Sequence, residues 1–192
     1  MTKYKCTYPN NNTKQCTIGT SLWCAQEYKH NLKTKESCKY WKPIHEPKRK
    51  TWDNTFMDMA HLVTQRSTCI RRAVGAVLVK DNHVISTGYN GAPKKASHCS
   101  VTGCLRETLS IPSGERAELC RGIHAEQNVI IQCATSGASC EGATLYTTTY
   151  PCSICAKMII NAQIVKVIYV GDYPDKKAKE IFENIDVIQY KE

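Results

Sequence analysis

The order of the elements predicted after residue 50 indicates an α/β domain of three layers. An amphipathic helix comes first, two β-branched segments joined by a turn follow it, and helices and strands then alternate. Apolar residues make up 42% of the 192 residues, which is enough for a hydrophobic core. Such a pattern packs helices on both faces of a sheet, and its parallel strands place ligands at their carboxyl ends.

The domain is predicted to begin with the amphipathic helix. Apolar side chains recur at helical spacing, and Thr51 or Asp53 can supply the N-cap. We expect this apolar stripe to lie in the core. Its positions are Trp52, Phe56, Met59, Ala60 and Val63.

A β-hairpin is predicted next. Residues 74–79 and 84–89 are rich in apolar and β-branched residues, and the turn-forming pair Asp81-Asn82 separates them. The segment 90–122 is too long and too polar for an ordinary loop. Something other than apolar burial should therefore organise it.

Helices and strands alternate through the rest of the chain. Residues 123–134 combine buried apolar positions with good helix formers, which predicts a helix. Pro151 suits the first turn of a further helix. The apolar positions of that helix are Ile154, Met158, Ile159 and Ala162. The other predicted elements are strands over 143–149, 164–170 and 185–190 and a helix over 175–182.

Two short motifs carry the candidate chemistry, His124-Ala125-Glu126 and Pro151-Cys152-Ser153-Ile154-Cys155. Zinc prefers four tetrahedral Cys and His ligands, and a catalytic zinc keeps one position for water, so three ligands leave the required vacancy. Glu126 would lie within a helical turn of His124 and stay free to act as acid and base. This spacing matches the signature of zinc nucleobase deaminases.

Cys152 and Cys155 would share one face at the start of their helix. A helix N-terminus and a zinc ion are both positive, so we expect both thiols to be thiolates. The alternative is a purely structural Cys-Cys-His zinc beside a buried glutamate. It is disfavoured because a closed structural site normally has four protein ligands.

A second group of cysteines surrounds the long polar segment. Four thiolates could close a tetrahedral structural zinc that fastens this segment, with His98 as a competing ligand. The alternative is a set of free buried thiols. These residues are Cys69, Cys99, Cys104 and Cys120, whereas Cys133 and Cys140 are interpreted as small packing residues.

A third group of cysteines lies in the basic N-terminal segment. Fifty residues with few aliphatic side chains cannot build much core, so a metal is the natural source of stability. The predicted ligands of this possible zinc are Cys6, Cys16, Cys24 and Cys38, with His30 and His45 as alternatives.

Charge divides the chain into a segment over 1–50 and a domain over 51–192. The first holds eleven Lys or Arg against three Glu, and the second holds fifteen basic against fourteen acidic residues. Pro43, Pro47 and Lys48-Arg49-Lys50 resemble a linker. Lysines beside aromatic residues also suit nucleic acid, but a solvated basic face is the favoured interpretation.

Composition favours a soluble cytoplasmic protein. No apolar run reaches the length of a membrane span, and no hydrophobic stretch follows the N-terminus as in a secretory signal. In a reducing compartment the twelve cysteines are better explained as metal ligands and buried thiols than as disulfides.

From Trp52 onward the chain resembles the deoxycytidylate (dCMP) deaminases of the cytidine and deoxycytidylate deaminase family. The residues that carry the resemblance are Arg66-Ser67-Thr68-Cys69, Val74-Gly75-Ala76, Gly88-Tyr89-Asn90-Gly91-Ala92-Pro93, His124-Ala125-Glu126-Gln127-Asn128 and Thr149-Tyr150-Pro151-Cys152-Ser153-Ile154-Cys155. The form of Cys120-Arg121-Gly122-Ile123-His124 is similar to a microbial branch whose inserted loop holds a second zinc. Residues 1–50 have no counterpart in this family.

The resemblance implies a cytidine-deaminase-like fold, a mixed five-stranded sheet flanked by helices, in a hexamer or other homo-oligomer. It implies hydrolysis of dCMP to dUMP and ammonia, feeding thymidylate synthesis, with dCTP as activator and dTTP as inhibitor. It places Asn90 against the sugar, although Asn-Gly alone would indicate a turn, and makes Tyr173 a wall for the base. Candidate phosphate ligands are Lys94, Lys95, Arg106, Arg116 and Arg121.

The mechanism expected from these residues uses a zinc-bound hydroxide, because zinc lowers the pKa of its water. Glu126 would take the proton, pass it to N3 of cytosine while hydroxide attacks C4, and then help ammonia to leave. Alternatives are deamination of dCTP, or of a base in RNA or DNA gripped by the basic segment. A catalytically idle zinc scaffold that binds nucleic acid is disfavoured because it has no use for Glu126.

Overall fold

A computed structural model describes residues 4–6, 41–43 and 49–191 of the chain. The chain divides into two units, Met1–Arg49 and Lys50–Glu192. In the first unit, β1 (Tyr4–Cys6) and β2 (Trp41–Pro43) pair antiparallel. The predicted N-terminal zinc ligands Cys16, Cys24 and Cys38, with His30 and His45, lie outside the described residues, as does the side chain of Cys6.

The second unit is built on a five-stranded mixed sheet. Its strands are β3 (Gly75–Lys80), β4 (His83–Tyr89), β5 (Thr144–Thr149), β6 (Lys166–Gly171) and β7 (Asp186–Gln189), in the order β4-β3-β5-β6-β7. β3 runs antiparallel to β4 and β5, whereas β5, β6 and β7 are parallel. The five predicted strands are confirmed, with bounds that shift by one or two residues.

Helices cover both faces of this sheet, so the predicted three-layer arrangement is confirmed. The helices of the second unit are α1 (Trp52–Thr64), α2 (Cys99–Thr102), α3 (Leu105–Thr108), α4 (Ala125–Ser136), α5 (Ser153–Asn161) and α6 (Lys176–Ile181). Along β3, Ala76 and Leu78 join the core that contains α4 and α5, whereas Val77 and Val79 join the core that contains α1. Successive side chains of a strand point to opposite faces of the sheet, so β3 contributes to two separate cores.

Local chemistry explains the first helix and the hairpin. The Oγ1 of Thr51 accepts a hydrogen bond from Asn54 N at 3.2 Å, so Thr51 is the N-cap of α1. Asp81 and Asn82 adopt φ values of +50° and +60°, which join β3 to β4 by a tight turn with both central residues left-handed.

The structure corrects two predictions about helix faces. In α1, Trp52 is 58% exposed and Met59 39% exposed, while the neighbouring Met57 is buried, because only a narrow face of the helix contacts the sheet. Pro151 precedes the N-cap of α5 rather than lying in its first turn, and Ile154 on the same helix is exposed. The cap position is taken by Cys152 instead.

The long polar segment folds into α2, α3 and a 3-10 turn at Ala117–Leu119. Little of it is apolar and buried, as predicted, and Arg106 on α3 is instead a buried charged residue. Among residues 4–6, 41–43 and 49–191, no helix is long and apolar enough to cross a membrane.

Candidate active site

His124 lies at the N-cap of α4, at the end of the long segment that follows β4. Its backbone N–H donates to Gln127 Oε1 at 2.8 Å, which satisfies one amide of the helix start. The preceding residue, Ile123, exchanges two backbone hydrogen bonds with Gly91, at 2.8 and 3.1 Å. These bonds fix the direction in which the imidazole leaves the helix.

α4 sits unusually close to β4. A Cβ atom on Gly88 would lie 2.4 Å from Ala125 O and 2.7 Å from Val129 N, so only glycine permits this approach. Ser86 Oγ donates to Val129 O at 2.8 Å across the same contact. The position of His124 therefore depends on a glycine in the neighbouring strand.

Cys152 and Cys155 lie at the start of α5, beyond the carboxyl end of β5, and both are buried. The Nδ1 of His124 lies 3.3 Å from Cys155 Sγ and 3.4 Å from Cys152 Sγ. A tetrahedral zinc with ordinary bond lengths would separate an imidazole nitrogen from a thiolate sulfur by about 3.6 Å. The three side chains therefore fit one zinc ion.

No fourth His, Cys, Asp or Glu from the described part of the chain joins this group within 4.8 Å. Glu126 lies beside it, with Oε2 accepting from Cys155 Sγ at 3.6 Å. The carboxylate is thus adjacent to the three ligands without completing the set. That arrangement is the one expected of a catalytic rather than a closed structural zinc.

Without a metal ion, the pKa values of the two cysteine thiols shift in opposite directions. A hydrogen bond from the Cys155 thiol lowers the pKa of Cys152 to about 4, with a further contribution from His124. The same bond, together with burial, raises the pKa of Cys155 well above its usual value. The site therefore favours a thiolate at Cys152, whereas the thiolate predicted at Cys155 requires the charge of the metal.

Burial raises the pKa of Glu126, although the nearby His124 opposes the rise. Its Oε1 accepts from Thr147 Oγ1 at 3.3 Å, and that hydroxyl also lies 3.1 Å from Thr149 O. Because a buried carboxyl with a high pKa holds its proton readily, Glu126 is suited to transfer protons near neutral pH.

These side chains line one pocket at the carboxyl ends of β5 and β6, as predicted for parallel strands. The pocket is also lined by basic and aromatic residues. Arg106 is buried and its Nη2 donates to Pro112 O at 3.0 Å, while Arg72 lies 5.5 Å from the ring centroid of Tyr173. The lining includes Cys69, Arg71, Arg72, Asn90, Cys99, Cys104, Arg106, Ser113, Cys120, His124, Glu126, Tyr150, Cys152 and Tyr173.

The sequence model of the cytidine and deoxycytidylate deaminase zinc-binding region matches residues 50–171. The chain belongs to the cytidine and deoxycytidylate deaminase family. ComE operon protein 2 of Bacillus subtilis (strain 168) is 41% identical over 140 residues, which cover 72% of this chain and 70% of that protein. The deoxycytidylate deaminase of Schizosaccharomyces pombe is 39% identical over 125 residues, covering 65% of this chain but only 38% of that enzyme.

A solved structure places the fold in the same family. The dCMP deaminase from the cyanophage S-TIM5, in complex with dCMP and dUMP, matches 71% of this chain and 95% of its own chain, with a TM-score of 0.59 and 29% sequence identity. The cytidine-deaminase-like fold predicted from the resemblance is therefore confirmed.

Asn90 lines the pocket of this deaminase, but its side chain is already engaged. Its Oδ1 accepts from Ser67 Oγ at 2.6 Å and from Val74 N at 2.8 Å, and its Nδ2 donates to Arg72 O at 2.7 Å. These bonds hold the segment between α1 and β3. Contact between Asn90 and a sugar remains a prediction.

The four cysteines of the predicted structural zinc all line the same pocket. Burial raises the pKa of Cys99, and the three other thiols raise it further by charge repulsion, so the four lie near one another. Within residues 49–191, however, no three of these sulfur atoms come within 4.8 Å of one another. A zinc ion here would draw the thiols closer, since sulfurs on one tetrahedral zinc lie about 3.8 Å apart.

Most of the other candidate residues lie away from the pocket. Lys94 and Lys95 are exposed, Arg116 pairs with Glu118, and Arg121 donates to Thr102 Oγ1 at 2.8 Å. Arg106 is the member of the predicted phosphate set that lines the pocket. The packing role predicted for Cys133 and Cys140 is confirmed, since Cys133 is fully buried in the core and Cys140 packs against it.

Sequence reasoning missed three residues of the deaminase site: Arg71, Thr147 and Asp175. Arg71 lies two residues after Cys69, which is the one signal that could have indicated it. Thr147 is an ordinary strand residue by pattern, and Asp175 was included only within a predicted helix. Their roles come from contacts between distant parts of the chain.

Proposed function

We propose that the chain hydrolyses dCMP to dUMP and ammonia, and that the dUMP feeds thymidylate synthesis. The observation that carries this proposal is the position of Glu126, a buried carboxylate 3.6 Å from one of three clustered zinc-binding side chains. The pocket around it is lined by three arginines, Arg71, Arg72 and Arg106. The names of the related deaminases support dCMP as the substrate.

His124, Cys152 and Cys155 would hold the catalytic zinc, which when bound lowers the pKa of a water molecule and so supplies the nucleophile for C4 of cytosine. Glu126 accepts the proton of this water and delivers it to N3 of the ring. It then carries the second proton of the water, from the new hydroxyl group on C4, to the amino group, which departs as ammonia and leaves the C4 carbonyl of dUMP. Burial of the carboxyl keeps both protonation states accessible and excludes bulk water from the transfer.

Two arginines favour a phosphorylated substrate. Arg106 Nε and Arg71 Nη1 are buried nitrogen atoms with no hydrogen-bond partner, and neither side chain is in a salt bridge within residues 49–191. A buried guanidinium normally has a hydrogen-bonded, negatively charged partner, so a bound anion would supply the partner that these two arginines lack. We propose that they bind the phosphate of dCMP, with Tyr173 against the base.

Glu126→Gln tests the mechanism. It should abolish ammonia release from dCMP while the zinc content stays unchanged, because the amide cannot carry the proton. Glu183→Gln, at an exposed position, is the matched control and should keep full activity. Assays with dCTP, cytidine and a cytosine-containing oligonucleotide separate the alternative substrates. Ammonia release by Glu126→Gln at the wild-type rate contradicts the mechanism.

Arg106→Met tests the phosphate assignment. We expect kcat/KM for dCMP to fall about 10- to 100-fold, as for the loss of a hydrogen bond to a charged group, with little change for cytidine. Lys94→Met, exposed and outside the pocket, should change neither value. Equal losses for the two substrates would show that Arg106 acts on folding or on the metal rather than on phosphate.

We also propose two structural zinc ions, one on Cys69, Cys99, Cys104 and Cys120 and one on Cys6, Cys16, Cys24 and Cys38. Wild-type protein should then hold three zinc ions per chain. Cys104→Ser and Cys24→Ser should each leave two, measured by atomic absorption. A wild-type content of one refutes both structural sites.

Control by nucleotides and assembly into a homo-oligomer complete the proposal. dCTP should raise the rate at low dCMP concentration and dTTP should lower it, and sedimentation should detect an oligomer, expected to be a hexamer. Cytoplasmic location is also a proposal, testable by cell fractionation.

A further inference from the structure

One carboxylate joins two helix N-termini beside the proposed zinc ligands. Asp175 is the N-cap of α6, and its Oδ1 accepts from Lys177 N at 3.1 Å and from Ala178 N at 3.3 Å. Its other oxygen, Oδ2, accepts from Ser153 N at 2.8 Å. Ser153 is the first residue of α5, so the two oxygens serve two different helices.

The first amide of α5 finds its acceptor outside the helix. The N-cap residue of a helix usually satisfies an early amide with its own side chain. Cys152 occupies that position, and its sulfur lies 3.4 Å from His124 Nδ1 within the ligand cluster. An N-cap side chain reaches the second or third amide of its helix, so the first amide, that of Ser153, needs another acceptor, and Asp175 supplies it from elsewhere in the chain.

The same residue anchors the segment that carries the aromatic wall of the pocket. Asp175 N donates to Tyr173 O at 2.9 Å, which closes a tight turn between β6 and α6. The ring of Tyr173 is half-buried in the pocket, with the Arg72 guanidinium over it. Asp175 thus ties the ligand helix α5 to the turn that carries Tyr173.

We propose that Asp175 is a positioning residue that holds the start of α5, and therefore Cys152 and Cys155, in the geometry that binds zinc, and that couples this helix to Tyr173. The part that concerns zinc rests on the proposed function. The bond between Asp175 and Ser153 N slows the release of the ion, since support of ligands from outside the ligand set tunes metal affinity.

The bond can be removed from either end. Asp175→Ser keeps a hydroxyl that can cap α6 but is too short to reach Ser153 N. Ser153→Pro removes the donor from the other side, and its Cδ, which takes the place of the amide hydrogen, also pushes the Asp175 carboxylate away. Proline suits the first position of a helix, and Cys152 before it already has φ −72° and ψ 169°, a conformation that proline tolerates in its predecessor.

Zinc release from the full chain into a chromogenic chelator, without substrate, is the measurement. Each variant should release the catalytic zinc about 10-fold faster than wild type. This is the low end of the loss in metal affinity that follows when a hydrogen bond supporting a ligand is removed. The double variant should be no faster than either single one, because both delete the same bond. Thr51→Ala, which removes the cap of the remote helix α1, should destabilise the fold without changing the release rate.

Release at the wild-type rate in either folded variant overturns the proposal, and so does equally fast release from Thr51→Ala. If one variant does not fold, the other still decides. Kinetics of Asp175→Ser add a second readout, a fall in kcat for dCMP with zinc kept in excess. A wild-type protein that holds zinc but deaminates no dCMP would refute the proposed function and leave the release measurement valid.

Discussion

Gly88→Ala tests how closely the candidate site depends on packing between α4 and β4. The added methyl group would lie 2.4 Å from Ala125 O, whereas ordinary contact begins at 3.4 Å. These contacted atoms belong to the helix backbone, so relief requires α4 to retreat by about 1 Å, a displacement that can cost a factor of about 100 in rate. His124 and Glu126 lie at the start of that helix and would move with it.

Gly75→Ala is the matched control on the other face of the sheet. Its methyl group would lie 2.2 Å from Ala60 O in α1, a helix that contributes no residue to the pocket. Overpacking of this kind typically costs about 1–3 kcal/mol in the free energy of unfolding. Both variants should therefore lose stability by a similar amount, and only Gly88→Ala should also damage the site.

The assay combines urea unfolding with kcat/KM for dCMP, corrected for the folded fraction. We expect about a 100-fold loss of kcat/KM in folded Gly88→Ala, with less than a twofold change in folded Gly75→Ala. Zinc content should be measured in both. Wild-type kcat/KM in folded Gly88→Ala, or an equal loss in the two variants, would refute the reasoning that α4 carries the site.

Three further outcomes are expected. Thr147→Val, which removes the hydroxyl that donates to Glu126 Oε1, should lower kcat about 10-fold at unchanged KM, as for one lost hydrogen bond; an unchanged kcat contradicts this. Burial and the 2.6 Å bond to Asp53 raise the pKa of Tyr146 above its usual 10, so this bond contributes stability below pH 10 that is lost as pH rises through the folded-state pKa. Urea unfolding of Tyr146→Phe should show a shallower decline than wild type at alkaline pH, and parallel curves would contradict the linkage. Zinc removal should leave Cys152, with its pKa lowered to about 4, as a thiolate that iodoacetamide alkylates at neutral pH, and mass spectrometry should find the holo protein protected.

The sequence was sufficient for the order of elements and for the metal-binding motif. Both depend on local spacing: two side chains three apart at a helix start share a face, and alternating patterns of helix and strand imply a layered sheet. His124, Cys152 and Cys155 were predicted together, and the structure brings their donor atoms within 4.8 Å. Local spacing did less well for helix faces, since Trp52 and Met59 fit the stripe of α1 yet are exposed.

The sequence by itself determined which residues are the candidates for the chemistry, because zinc ligands and a proton carrier need particular side chains at short spacings. Only the tertiary structure decided what surrounds them. Arg106 stood among five phosphate candidates in the sequence, and only the structure shows that its Nε is buried without a hydrogen-bond partner in the pocket. Only the structure shows that Asp175 accepts from Ser153 N across 22 residues of sequence. Such roles arise from packing between distant segments, and residue type or local periodicity cannot reveal which atoms packing leaves unpaired.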